Sequence, residues 1–378
     1  MLLKTSFILS LHIVHELLSV TLYLHCTLYK RYFFIRFAGM VTKFPLDYMH
    51  LILLGVMRKL LHVYMRGRKR HRLHSTAVAE ISQRLVTYKE HAASEFSRRP
   101  RSLEEFKYWK ATEFRSMLLY FGVCAFRNIL PDRQYKNFLI LVCAMRILLT
   151  DDLCDLHHQY AGTLLLSFVQ DCINVYGRKI ASYNMHATIH LADEASIYGP
   201  LDNISAFPFE NHLYQLKRMI RKPGATLTQL INRIGEKELF GSKRTRQGKN
   251  FKFIRRHDDG PTPVGFENSR QYDAVQRVGI MYSRTLRDSC VIHDDEVGQI
   301  CNILEREQEA YCVLRMFRTK KNLFEYPIKS AEVNIHLVHT HTGRLTVAPV
   351  DDCLKCVLLP LPDGQHVAMQ LCSADRLV

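Results

Sequence analysis

The chain has 378 residues, enough for about two or three domains. Apolar residues make up 47%, which argues against global disorder and leaves material for large cores. Lys and Arg total 52 against 36 Asp and Glu, and the resulting +16 favours phosphate or another anionic surface as partner. Eleven Cys are scattered mostly singly, which disfavours a dense secreted disulfide framework and leaves reduced thiols as the simpler reading.

Residues 6–27 are apolar enough to span a bilayer, but Glu16 near the middle would cost about 2–3 kcal/mol there. A buried helix, or a segment with no native partner, is the preferred reading, and a membrane tether is not expected. From Phe44 to Ile180 apolar residues recur at three- and four-residue steps, as in LDYMHLILLGVMRKLLHVYM, YKNFLILVCAMRILL and YAGTLLLSFVQDCINVYG. Pro131-Asp132 and Gly177 punctuate these helices, and a basic helix is expected from Glu210. From Gly241 to Gly265 Gly, Pro and charge dominate, as in a linker or exposed loop. Beyond Ser269 the short β-branched runs SCVIH, YCVLRMF, VNIHLVHTHTG, LTVAPV, KCVLLPL and HVAMQL are separated by turns such as Asp294-Asp295 and Pro362-Asp363-Gly364. The expected class is α+β, with a helical part followed by a small β-rich, barrel-like domain. The boundaries are 1–38 for an apolar N-terminal segment, 39–240 for the helical region, 241–268 for a basic linker and 269–378 for the β-rich domain.

Several side chains could carry chemistry. Asp47 and His50 are spaced i, i+3, and His186 and His190 i, i+4, so each pair shares a helix face. Brought together, the two pairs would supply four N/O ligands for tetrahedral Zn2+; alone, each is an ordinary packing pair. Cys353 and Cys356 could give half a zinc site, with His366 and Cys372 as the nearest further donors, though at no standard spacing. Glu210 follows Pro208 in the first turn of its helix, where the helix dipole favours a carboxylate; it could equally be a metal ligand if companion Asp residues stood nearby. Basic residues form two tracts. Arg58, Lys59, Arg66, Arg68, Lys69, Arg70 and Arg72 have no acid among them. From Gln215 to Arg256 thirteen Lys or Arg, including Lys217, Arg218, Arg221, Lys222, Lys243, Arg244 and Arg246, face two Glu. Such tracts suit the phosphates of duplex DNA, or nuclear import. Trp109, the lone Trp, suits a core anchor, or a wedge beside nucleic acid.

Three segments, FPLDYMHLILLGVMRKLL, RRPRSLEEFKYWKATEFRSMLLYFG and YNMHATIHLADEASIYGPLDNISAFPFENHLYQLKRMIR, resemble the CACTA (En/Spm-like) transposases, which use an RNase H-like DDE catalytic domain. The resemblance spans roughly residues 39–240, and the last segment is also similar, more distantly, to the end of the V(D)J recombinase core. It implies that Glu210 matches the third catalytic acid, that Asp47 and His50 match the D-x-x-H signature, and that His186 and His190 match paired zinc-binding histidines. The region between Asp47 and Glu210 matches the helical insertion between the second and third acids.

The family carries two catalytic Asp upstream of D-x-x-H, whereas Asp47 is the first Asp here and residues 1–46 hold one acid, Glu16. The resemblance therefore implies a truncated or chemically silent transposase copy. Mg2+ would serve only if an upstream exon supplied the two missing Asp. The expected activity is salt-dependent binding of duplex DNA in the nucleus, without strand transfer. A homodimer is left open, and no small-molecule substrate is expected. A structural or protein-interaction product is the alternative.

Overall fold

The computed structural model describes residues 44–239 and 251–373. The apolar stretch 6–27 and the cations Lys243, Arg244 and Arg246 lie outside the described residues. Every element below belongs to one compact unit that begins at Leu46.

Helix α1 winds first with π-type hydrogen bonding over Met49–Met57, then as an α-helix over Arg58–Arg66. Its apolar run is buried almost throughout, from Leu51 to Tyr64. Helix α2 is Ser75–Thr87; α3 begins at Ala111–Ser116 and continues through a π-type turn, Met117–Phe121, into Gly122–Ala125. Helix α4 (Asp132–Leu148) starts directly after Pro131, whose missing N–H suits a helix start. Its residues from Asn137 onward are enclosed on every side, so α4 is the central helix. Two residues, Leu149-Thr150, turn the chain back into α5 (Asp151–Tyr176), which Asp151 and Asp152 open and Gly177 at φ 87° ends. With 26 residues α5 is about 39 Å long. The Asn137 amide ties the pair together: Nδ2 donates to Phe168 O at 3.2 Å, and the Cys172 thiol donates to Oδ1 at 3.3 Å. Helices α6 (Tyr183–Ala187) and α7 (Leu191–Tyr198) follow, joined by a 3-10 turn over Thr188–His190. Helices α8 (Phe207–Met219) and α9 (Thr226–Leu239) complete the helical part.

Among the described residues every strand lies beyond residue 251: β1 Lys252–His257, β2 Arg270–Arg277, β3 Ile280–Ser283, β4 Cys290–His293, β5 Glu296–Arg306, β6 Glu309–Asn322, β7 Ile335–Pro349, β8 Leu354–Pro360 and β9 His366–Gln370. All pairings are antiparallel. Two-residue turns with both residues left-handed, Asp294-Asp295 and Glu307-Gln308, close the β4–β5 and β5–β6 hairpins, matching the twist of the strands they join. The pairings β5–β4–β8–β9–β7–β6 return to β5, so six strands each have two neighbours in a cycle, and β2 extends from β5 with β1 and β3 beside it. The register shifts between Ile300 and Asn302 in the β5–β6 ladder, and between Arg315 and Phe317 in the β6–β7 ladder, where β7 carries the extra residues.

The protein is thus α+β, with a helical part followed by antiparallel strands, and the two share one core. Val357, Leu359, Val367 and Met369 alternate along β8 and β9 and belong to the same apolar cluster as Leu118, Phe138 and Ile147 of the helices. Cys356, Leu358 and Ala368, on the opposite faces, fill a separate cluster with Ile292, Val297 and Val338. Polar groups close the joint. Arg146 is 1% exposed, and its guanidinium donates to Leu119 O at 3.1 Å, Val333 O at 2.8 Å and Gln370 O at 2.8 Å. Lys355, on β8, is fully buried, and its Nζ lies 2.6 Å from Glu95 Oε2 and 2.6 Å from Asp288 Oδ1. The two carboxylates are further satisfied by the Met281 and Ser94 amides. Residues 252–257 of the stretch expected to be linker form β1, because their backbone finds partners along β2. No helix among the described residues is long and apolar enough to cross a membrane.

Candidate functional site

Asp47 stands just before α1, and its carboxylate serves two helix starts. Oδ1 accepts from the Met49 amide at 3.1 Å and from the Ala206 amide at 3.0 Å; Oδ2 accepts from the His50 amide at 3.2 Å. The unpaired N–H groups of α1 and the chain entering α8 are thereby held by one side chain. The ring of His50 continues the chain. Nδ1 lies 2.5 Å from Asp47 Oδ2, and Nε2 lies 3.1 Å from Glu210 Oε1. Asp47, His50 and Glu210 therefore form a carboxylate–imidazole–carboxylate relay joining α1 to the first turn of α8. Burial opposes charge on Asp47, but the His50 hydrogen bond and the Ala206 and Met49 amides hold its carboxyl below the usual range. The hydrogen bond to Asp47 raises His50 above the usual imidazole value despite partial burial, and the charges of Asp47 and Glu210 add to it.

A buried brace sets this geometry. The Tyr48 hydroxyl donates to Asp202 Oδ1 at 2.5 Å, and the Arg115 guanidinium forms a two-pronged pair with Asp202, 3.0 Å to each oxygen. Arg115 also donates to the Tyr48 hydroxyl. Helix α1, helix α3 and the turn ahead of α8 are thus fixed together, which aims Glu210 at His50. Bidentate guanidinium–carboxylate geometry makes such a brace directional.

The second histidine pair is placed differently. His186 on α6 and His190 at the end of the 3-10 turn are exposed and meet edge to face with ring centroids 5.5 Å apart. His190 also borders a groove of about 540 Å³ between α5 and α7, with His158, Thr163 and Asp193 among its lining residues. Among the described residues no group of three or more His, Cys, Asp or Glu is gathered as a metal site. Both nitrogens of His50 are taken by carboxylates, so Asp47, His50, His186 and His190 as arranged do not fit a four-ligand zinc site. Nor does Glu210 share a point with Asp47 where a cation would sit, because the His50 ring stands between them. Cys353, just ahead of β8, and Cys356, within it, are buried in different apolar clusters. Cys356 opposes Cys290 across the β4–β8 pairing, and the contact of the two thiols, with burial, pushes Cys290 well above the usual thiol range. Trp109 is 7% exposed and packs edge-on against Phe114, 5.7 Å between centroids, as a core anchor.

The first basic tract straddles the end of α1 and the turn after it. Arg58, Arg66, Arg68, Lys69, Arg70 and Arg72 are exposed. Lys59 is half-buried and donates to Ile180 O at 2.7 Å, and Arg70 donates to His71 Nε2 at 2.8 Å. The Lys59 bond carries α1 to the turn Arg178–Ile180, whose exposed Arg178 and Lys179 extend the patch. Sequence reading did not include these two, since only the packing of α1 against this turn joins them to the tract. Burial and the charges of Arg70 and Arg68 hold His71 below its usual value. Lys217 and Arg218 are exposed on the last turn of α8, and Arg221 and Lys222 on the turn beyond it. Among the described residues none of Arg58, Arg66, Arg68, Lys69, Arg72, Lys217, Arg218, Arg221 or Lys222 is ion-paired.

A family model for a domain of unknown function, DUF8592, matches residues 256–371, from within β1 to just past β9. No curated protein and no solved structure matches the chain.

Proposed function

We propose that this chain is a transposase-derived, nuclear DNA-binding protein of the CACTA (En/Spm-like) type that grips duplex DNA without cutting it. On this reading the helical part descends from the insertion and third-acid region of an RNase H-like core, and the six-strand cycle is a barrel-like module. The observation that carries the proposal is the set of exposed cations at the end of α1, unpaired among the described residues and extended by Arg178 and Lys179. Phosphates would supply the counter-charge that the described residues do not. The Asp47–His50–Glu210 relay supports a holding role rather than a hydrolytic one, because Glu210 is engaged by an imidazole. Zinc at Asp47, His50, His186 and His190 would require His50 to give up one carboxylate; Mg2+ at Glu210 would require companion acids.

Fluorescence anisotropy with a labelled 30-base-pair duplex over a salt series tests the proposal. Affinity should fall steeply with salt, and replacing Arg68, Lys69, Arg70 and Arg72 by Ala should lower the log–log slope by about 0.9 for each phosphate no longer neutralised. The duplex should remain intact when Mg2+ is added. Salt-independent binding, or Mg2+-dependent nicking that Glu210→Gln abolishes, would overturn it.

A further inference from the structure

Helices α8 and α9 form a hairpin that buries little. Leu216 and Leu230 are its buried apolar side chains, while Phe209, Tyr214, Leu227 and Ile231 are exposed. Glu210, Tyr214, Lys217 and Arg218 follow one another at steps of four, three and one residues, and so share a face of α8. Tyr214 is 60% exposed, and the Arg218 guanidinium lies 6.0 Å from its ring centroid. At the tip the chain turns through Gly224 at φ 87°. The Gln229 side chain fixes that turn. Its Oε1 accepts from the Arg221 and Lys222 amides at 3.1 and 3.3 Å, and its Nε2 donates to Lys222 O at 3.0 Å and Gly224 O at 2.8 Å. Arg221 and Lys222 are therefore held on a fixed backbone just beyond the cations of α8.

We propose that this face, from Tyr214 through Lys217 and Arg218 to the Gln229-fixed turn, holds a single strand of DNA, with Tyr214 stacked on an unpaired base and the four cations following the phosphates. The inference rests on the reading that the chain binds DNA, and adds which form of DNA this face takes. A duplex hides its base faces, so it would use the cations and leave the tyrosine ring in water. An unpaired strand offers both phosphate charge and a free base face, and stacking on an aromatic ring is tolerant of base identity. A ring flanked by unpaired cations is the arrangement that uses both.

The full chain is titrated with a labelled mixed-sequence 20-nucleotide single strand and with the duplex of the same sequence. Tyr214→Ala should weaken single-strand binding about tenfold, Tyr214→Phe should keep it, and duplex binding should change less than twofold. Arg221→Ala with Lys222→Ala should lower the single-strand salt slope by about 1.4, about 0.7 per phosphate. Because Tyr214 is exposed, these changes leave the core intact. Duplex binding with no single-strand loss in Tyr214→Ala, or equal loss on both forms, overturns this inference and leaves the DNA reading standing. Binding to neither form removes both.

Discussion

His50 takes its place through two partners of different reach in sequence. Asp47 is three residues away and was legible from the sequence as a D-x-x-H pair. Glu210 is 160 residues on, and no spacing rule links it to α1; the link exists because Tyr48, Arg115 and Asp202 draw the two helix starts together. His336 shows a buried histidine of the opposite kind. It is 3% exposed on β7, and its Nδ1 has no hydrogen-bond partner among the described residues. Burial, with the charges of Lys320 and Arg146, pushes it down to about 4. Its folded value thus lies below the unfolded one near 6.5, so the unfolded chain binds the extra proton between those values. The stability it contributes is fully present above pH 6.5 and is lost as pH falls towards 4. The loss should be on the order of 3 kcal/mol. Urea unfolding at pH 7.5, 6 and 5 should show this decline in the natural protein and a flatter profile in His336→Gln; parallel profiles would contradict it.

At the scale of the element, helix spacing carried the reading furthest where the helix is punctuated. Pro131 and Gly177 mark ends that the structure keeps, since one lacks an N–H and the other adopts φ 87°. The turn at Asp294-Asp295 was legible for a similar reason, both residues tolerating the left-handed region. The strands were less so. Residues 333–343 and 345–350 read as two runs parted at Gly343-Arg344, yet Ile335–Pro349 is one strand whose pairing with β6 continues past that point. Strand β5 escaped notice because Gly298, Gln299 and Asn302 interrupt its apolar alternation, although it pairs with three strands within the cycle and beyond it. Close approach of elements gives a direct test. A Cβ on Gly122 would stand 2.8 Å from Phe138 Cζ, a buried ring of α4, and would press on the Met117 carbonyl. Ala is the better helix former by about 1 kcal/mol, but overpacking costs about 1–3 kcal/mol, so Gly122→Ala should destabilise the protein on balance. Chemical denaturation measures the sign; a raised midpoint would show that α3 and α4 have room to part.

For the whole molecule the shared core decides behaviour. The sequence divides into a helical and a β-rich part by composition, and that division holds for secondary structure. What composition does not reveal is that β8 and β9 present one face to the helices, because the alternating Val357, Leu359, Val367 and Met369 look like any half-buried strand. The two parts should therefore unfold together. Fluorescence of Trp109, which sits in the helical part, and far-ultraviolet circular dichroism, which reports both parts, should give coincident thermal transitions. Lys355→Met would leave Glu95 and Asp288 buried without their cation, and should lower both transitions together, at a cost of about 3–5 kcal/mol. Separated transitions would show two independent folding units.

That joint bears on inheritance as well as on folding. A gene that acquired only the segment encoding residues 256–371 would express a sheet with a greasy wall and an interior ammonium that keeps Asp288 but has lost Glu95. Any protein that keeps such a sheet beside a different neighbour must either repaint Val357, Leu359, Val367 and Met369 with water-loving side chains or recruit another roof for them.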